Sequence, residues 1–207
     1  MARIVEGHPE RPEGEAGRAL LERMNAGHHE ELAEWGLGYL QFAGDERMLD
    51  IGCGGGANLQ RLLERAPQGH ATGIDYAPLA VEMSREVNAR AIADGRCNVL
   101  EGDVRALPFE DGTFDLVVAF ETVYFWDMPV GFSEVRRVLR PGGQFLVCNE
   151  ANGTDPDAQE VADGIPGMVI PTGSQLADLL QAAGFPIMQV YDEAAQGGVR
   201  VTVIATK

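Results

Sequence analysis

Met48-Leu49-Asp50-Ile51-Gly52-Cys53-Gly54-Gly55-Gly56-Ala57 decides how this chain is read. An apolar run closes on an acid, glycines follow, and a helical pattern opens near Asn58. That order predicts a strand, a tight turn and a helix start. Glycine takes positive φ without a Cβ clash. Gly52 and Gly54 therefore permit the turn and leave the main chain bare for a ligand. The free N–H groups at the start of the helix face that ligand.

Outward from the turn, residues 45–207 alternate between strand and helix patterns. The expected strands are Arg47–Ile51, Ala71–Ile74, Asn98–Glu101, Phe114–Phe120 and Gln144–Asn149. Helices are expected over Asn58–Arg65, Pro78–Ala93 and Val130–Leu139, the last stopped by Arg140-Pro141-Gly142-Gly143. Phe114–Phe120 is continuously apolar, as a strand covered on both faces is. A long irregular stretch at 151–171 reads as a functional or mobile loop. Helix Ser174–Ala183 precedes two strands, Ile187–Asp192 and Arg200–Thr206, joined across a Gly197-Gly198 hairpin signal. Alternation of this kind makes a doubly wound α/β sheet with helices on both faces. Its ligands bind at the carboxyl ends of the strands. Upstream, residues 18–44 carry two helical patterns, broken at Asn25-Ala26-Gly27, and residues 1–17 read as an arm, flexible or lying on the surface.

Composition narrows the partners. The 207 residues suit one domain with a real core. A net charge of -16 repels phosphate backbones and anionic lipid, so neither nucleic acid nor a membrane is the expected partner. Arg136, Arg137 and Arg140 read as the solvated face of a helix. Cys53, Cys97 and Cys148 form no paired or metal-ligand spacing and read as small buried hydrophobes. They fit a reducing cytoplasm, as does the polar start of the chain. No apolar run reaches the roughly 18 residues of a membrane span.

The strand ends carry the chemistry. The first presents Asp50 and the glycine turn. The second presents Asp75-Tyr76, an acid for ribose hydroxyls and a ring to lie along a base. The third presents Gly102-Asp103-Val104, where a carboxylate and a backbone N–H can read an adenine edge. Each acid alone is equally a turn former or helix cap. Their succession beside one turn points to an adenosine pocket. Gly52-x-Gly54-x-x-Ala57 also fits a dinucleotide fingerprint. Two ligands stay open: a nicotinamide dinucleotide with its pyrophosphate on the helix start, or a phosphate-free adenosyl compound with its amine at the turn.

From Arg47 to Glu150 the chain resembles the small class I S-adenosylmethionine-dependent methyltransferases. The resemblance rests on Leu49 to Gly56, Gly73-Ile74-Asp75, Glu101-Gly102-Asp103-Val104, Ala106-Leu107-Pro108-Phe109, Phe114-Asp115-Leu116-Val117 and Arg137 to Gly143. Each piece is weak alone; their order and spacing are specific. A nicotinamide enzyme is not expected to show Leu107-Pro108-Phe109 or the Arg140-to-Gly143 stop. The resemblance implies a Rossmann-like sheet of seven strands in the order 3-2-1-4-5-7-6, with the last strand antiparallel. It also implies S-adenosyl-L-methionine as cofactor. Carried over by position, Gly52, Cys53 and Gly54 contact the methionine end, supported by Asp50. Asp75 holds the ribose, Tyr76 packs on adenine, and Gly102, Asp103 and Val104 read its edge. Phe120 and Glu121 lie near the reacting methyl.

The acceptor is expected near the end of the fourth strand. Catalytic candidates are Glu121, Tyr124 and His28, with Phe125, Trp126, Asn25, His29 and Trp35 as neighbours. Tyr124 to Trp126 read equally well as an aromatic packing cluster. Residues 18–44 are expected to lid the cofactor. Glu121, Asp127 and Glu150 lack diagnostic metal-ligand spacing, and no metal is expected. The acidic total favours a small-molecule acceptor, on a monomer or homodimer. A non-catalytic module holding the same cofactor is the alternative reading; an NAD-dependent oxidoreductase is the lesser one.

Overall fold

Seven strands form one sheet in the computed structural model, which describes residues 9–154, 156–195 and 198–207. Two helices come first, α1 (Gly14–Met24) and α2 (His28–Leu37). Then β1 (Arg47–Ile51), α3 (Ala57–Arg65), β2 (His70–Asp75), α4 (Pro78–Val87), α5 (Ala89–Ala93) and β3 (Cys97–Glu101) follow. The second half holds β4 (Phe114–Phe120), α6 (Met128–Val138), β5 (Leu139–Asn149), α7 (Pro156–Asp163), α8 (Gly173–Ala182), β6 (Ile187–Ala195) and β7 (Gly198–Thr206). The sheet order is β3-β2-β1-β4-β5-β7-β6, and β7 runs antiparallel to both of its neighbours. The expected Rossmann-like order is therefore the observed one.

Strand periodicity divides the core between the two faces of the sheet. Val117 and Ala119 of β4 face one cluster with Phe145 and Val147 of β5, covered by Phe132, Val135, Leu176 and Leu180 from α6 and α8. Leu116, Val118 and Phe120 face the other with Leu146 and Cys148, covered by Leu32, Leu37, Leu59 and Leu62 from α2 and α3. Both faces of β4 are thus dry, which is why its sequence is unbroken in hydrophobicity. In α3 the buried residues are Leu59, Leu62 and Leu63, spaced for one helical face.

Several boundaries differ from the sequence expectation. Helix α1 starts at Gly14, inside the stretch read as an arm, and Pro12 is buried against Gly17. The expected helix over 78–93 divides at Asn88, whose buried Nδ2 donates to the Gly56 and Ser84 carbonyls. Arg140 to Gly143 does not stand outside the sheet as a stop but lies within β5. Gly142 takes φ 79° there, and its N–H donates to the Lys207 carbonyl at 2.7 Å. That pairing across the sheet keeps the bent segment in the ladder. The 151–171 stretch holds α7, because Ala162 and Ile170 pack on Tyr124. Strands β6 and β7 run further than their hydrophobic pattern suggests, pairing to Ala195↔Gly198. Gly197 of the hairpin signal lies outside the described residues.

Candidate active site at the carboxyl edge of the sheet

The register brings the strand ends together. Ile51 pairs with Ile74, so Gly52 begins beside Asp75. Phe120 pairs with Cys148, so Glu121 lies beside the end of β5. A cleft of about 340 Å³ opens over this edge. Gly52, Gly54, Asp75 and Tyr76 line it from β1 and β2; Gly102, Asp103 and Val104 line it after β3; Phe120 and Glu121 line it after β4. Leu20, Leu21 and Met24 of α1 close one wall, joined by Pro9 and Glu10.

The glycine turn is held on all sides. Gly52, Gly54 and Gly56 take φ of 72°, 50° and 85°. A Cβ on Gly52 would lie 2.2 Å from the Thr122 hydroxyl. The N–H groups of Gly52 and Cys53 donate to the Ile74 carbonyl, and Asn25 Nδ2 donates to the Gly55 carbonyl at 3.0 Å. Asp75 completes the clamp. Its Oδ2 accepts from Gly54 N–H at 3.0 Å, and its Oδ1 accepts from Ala77 N–H at 2.9 Å. Burial raises its pKa, opposed by the donors of Ala77 and Gly54.

That clamp decides between the two open ligands. A pyrophosphate on the turn needs the N–H groups free and the field positive. Here a carboxylate already occupies Gly54 N–H. A phosphate-free adenosyl ligand fits: a carboxylate offers about four lone-pair sites, and the backbone donors of Gly54, Ala77 and Tyr76 leave Asp75 capacity for a ribose hydroxyl. Asp50 does not line the cleft. It is 1% exposed beneath the turn, and its Oδ2 has no partner. Burial, then Asp75, raises its carboxyl pKa to about 7, with Arg61 opposing. Cys53 turns its side chain inward toward Ser84 Oγ at 3.7 Å, and burial pushes its thiol well up, so its backbone alone serves the turn. Asp103 is held by Arg105, through the backbone N–H at 2.8 Å and the guanidinium at 2.6 Å, which lowers its pKa. Tyr76 is 42% exposed, an open ring beside that pair.

At the methyl end, Glu121 sits at φ 58°, the only positive φ outside glycine among the described residues. Its Oε1 accepts from Glu150 N–H at 2.5 Å and from the Tyr124 hydroxyl at 3.1 Å. Burial, then the Glu150 charge, pushes its carboxyl well above the usual range. Tyr124 is 4% exposed and does not line the cleft; it orients Glu121 from behind. Phe125 and Trp126 do line it, and Trp126 also stacks on Phe145 while its Nε1 donates to Thr122 Oγ1 at 3.3 Å. The His28 side chain lies outside the described residues. His29 borders a smaller cavity of about 50 Å³ that shares Gly52, Gly54 and Glu121 with the cleft. Trp35 is elsewhere: its Nε1 donates to Glu193 at 3.0 Å, and the Arg200 guanidinium lies 4.2 Å over its ring. The β6–β7 hairpin draws it away from the cleft.

Residues 49–147 match the family model described as methyltransferase domain. Over these residues the chain is similar to the class I methyltransferases. A ubiquinone/menaquinone biosynthesis C-methyltransferase of Dinoroseobacter shibae is 32% identical over 72% of this chain and 60% of its own. A cycloartenol-C-24-methyltransferase of Arabidopsis thaliana is 30% identical over 74% of this chain and 48% of its own. The chain spans between 36% and 61% of the length of the first three such relatives. Among solved structures, the complex of the Haloferax volcanii Trm112 methyltransferase activator with a methyltransferase shares the fold, with a TM-score of 0.81 at 19% identity over 91% of this chain and 93% of that one. The geranyl diphosphate methyltransferase solved with GPP and sinefungin has a TM-score of 0.72 at 17% identity over 86% of this chain and 78% of that one.

Residues that the sequence did not single out also shape the site. Thr122 fills the space a side chain on Gly52 would need, and Asn88 clamps Gly56. Leu21 and Met24 wall the cleft as ordinary apolar positions of a helix. Among the described residues, no helix is long and apolar enough to cross a membrane. The three cysteines are free and buried.

Proposed function

We propose that this chain transfers a methyl group from S-adenosylmethionine to a small-molecule acceptor. The observation that carries it is the Asp75 clamp on Gly54, which fills the anion position of the turn and leaves oxygens for a ribose. Bound S-adenosylmethionine supplies a methyl made electrophilic by its sulfonium centre. Asp75 orients the ribose, Tyr76 covers the adenine, and Val104 N–H and Asp103 meet its edge. Gly52 and Gly54 let the methionine end approach the main chain. An acceptor held in line beside Glu121 would receive that methyl and lose a proton. Positioning alone supplies much of such a rate. Glu121 lines the cleft there and is the candidate to take that proton once ionised.

The acceptor's size follows from the cleft, whose open part is walled by α1 and by Phe125 and Trp126. The test is release of S-adenosylhomocysteine over a panel of quinone precursors, sterols, phenols, thiols and amines. Turnover with at least one member is expected. Tight cofactor binding with no turnover across the panel is the outcome of a non-catalytic module. Calorimetric binding of NAD with no heat from either sulfur ligand would sink the reading altogether.

A further inference from the structure

Three side chains from distant parts of the chain converge beside the methyl end of the cleft. One ligand atom each from His29, Glu121 and Glu150 lie within 4.8 Å of one another. His29 comes from the first turn of α2, Glu121 from the end of β4 and Glu150 from the end of β5. His29 and Glu121 are half-buried, and Glu150 is exposed, so the group is reachable from solvent. His29 and Glu121 also line the cavity of about 50 Å³ that adjoins the turn.

We propose that His29, Glu121 and Glu150 form a binding site for one divalent transition cation, with its open positions toward the cleft. Imidazole and carboxylate together suit manganese, iron and zinc. Ligands about 2.1 Å from one cation in tetrahedral geometry lie roughly 3.4 Å from one another. Side-chain rotation closes the present spacing, which is within 4.8 Å, to that distance. The Tyr124 hydroxyl already donates to Glu121 Oε1, which fixes the carboxylate from behind as an outer partner does. Asp127 is not part of the group, although it lines the cleft. Spacing along the chain hides this set, since its ligands meet only through the order of the sheet.

The site's use rests on the methyl-transfer reading: its open positions would hold an oxygen of the acceptor beside Glu121. Binding itself does not rest on that reading. The test titrates manganese(II) alone into the full chain, by calorimetry and by the spin resonance of free metal. One saturable site is expected. His29→Ala and Glu150→Gln, checked for unchanged melting, should each weaken it about tenfold or more. Glu64→Ala, exposed on α3, should leave it unchanged. In the unaltered protein, bound manganese should broaden the His29 imidazole resonances and spare those of His70, at the opposite end of the sheet. No binding, binding that both folded variants retain, or broadening that spares His29 overturns the site. Methyl transfer indifferent to a chelator, with manganese binding confirmed, removes only the acceptor role. Absent transfer with intact manganese binding counts against the methyl-transfer reading instead.

Discussion

Asp75 serves two masters at the residue scale. It closes the glycine turn through Gly54 and Ala77, and it faces the space for a ribose. In the fold it is only 9% exposed. Asp75→Ala should therefore cost stability as well as affinity. Two freed N–H groups at a partly buried turn amount to roughly 1–3 kcal/mol of stability. Loss of charge-assisted bonds to the ribose should weaken cofactor binding by about 30–150-fold, or roughly 2–3 kcal/mol. Asp75→Asn should fall between, because the amide oxygen still accepts. Calorimetry with S-adenosylhomocysteine and urea melts separate the two effects; parent-like binding in a folded Asp75→Ala would refute the ribose placement. Asp50 gives a prediction in pH. Its folded pKa, about 7, lies above the ordinary 3.8. The folded state thus holds the proton more tightly, so this group's contribution is most favourable below about pH 4 and is lost as pH rises to about 7. The loss amounts to about 4 kcal/mol at most. Asp50→Asn should flatten that part of the stability–pH curve, measured by urea midpoints without ligand. An unchanged slope would mean that Asp50 finds a partner on ionising.

At the element scale the two N-terminal helices part company. Helix α1 lays Leu20, Leu21 and Met24 along the cleft, and Arg18 reaches Glu82 and Glu86 of α4 at 2.9 and 3.1 Å. Those exposed pairs are worth little; Leu21 packs with Ala77, Ala80 and Met83 in a small satellite cluster. Helix α2 instead buries Leu32, Ala33 and Leu37 in the main core against β5. Two buried leucines alone represent roughly 3–6 kcal/mol of transfer energy, a large part of a typical net stability. Removing residues 1–26 should therefore leave a cooperatively folding protein with weakened cofactor affinity. Removing residues 1–40 should abolish cooperative unfolding. Circular dichroism melts of the two truncations check this; parent-like cofactor affinity in the shorter truncation would remove the lid role of α1. Glycine at position 52 belongs to the same scale, because it joins β1 to the segment after β4. Gly52→Ala meets the Thr122 hydroxyl at 2.2 Å and a left-handed φ together. A loss of about 1–3 kcal/mol is expected, with Thr122→Ser recovering none of the φ strain.

For the whole molecule, ligand choice should appear as a shift in melting. A ligand that binds only the folded state stabilises it by mass action, about 2.7 kcal/mol at a hundredfold excess over Kd. S-adenosylhomocysteine should raise the melting temperature, and NAD should not. The net charge of -16 and the carboxylate at the turn oppose a pyrophosphate. A melting shift from NAD equal to that from S-adenosylhomocysteine would count against the clamp as a filter.

Fold and ligand class were legible before any coordinates, for a local reason. The strand–turn–helix at Met48 to Ala57 depends on backbone freedom at Gly52 and Gly54, which is a property of those residues alone. The unbroken apolar run of β4 likewise reports burial on both faces, and strand alternation reports the sheet. Long-range matters were silent. The partner of Trp35 is Glu193, 158 residues away, and Glu121 meets Glu150 across 29. Helix α7 exists because Tyr124 offers Ala162 a surface, and α1 begins where Pro12 meets Gly17. Sequence by itself thus determined which segments become strands and helices and what the strand ends carry, because each rests on side-chain periodicity and backbone freedom within a few residues. Only the tertiary structure decided that Asp75 clamps Gly54, that Tyr124 stands behind Glu121, and that His29 joins two glutamates. Those contacts are set by sheet order and packing, which bring together groups no local rule relates.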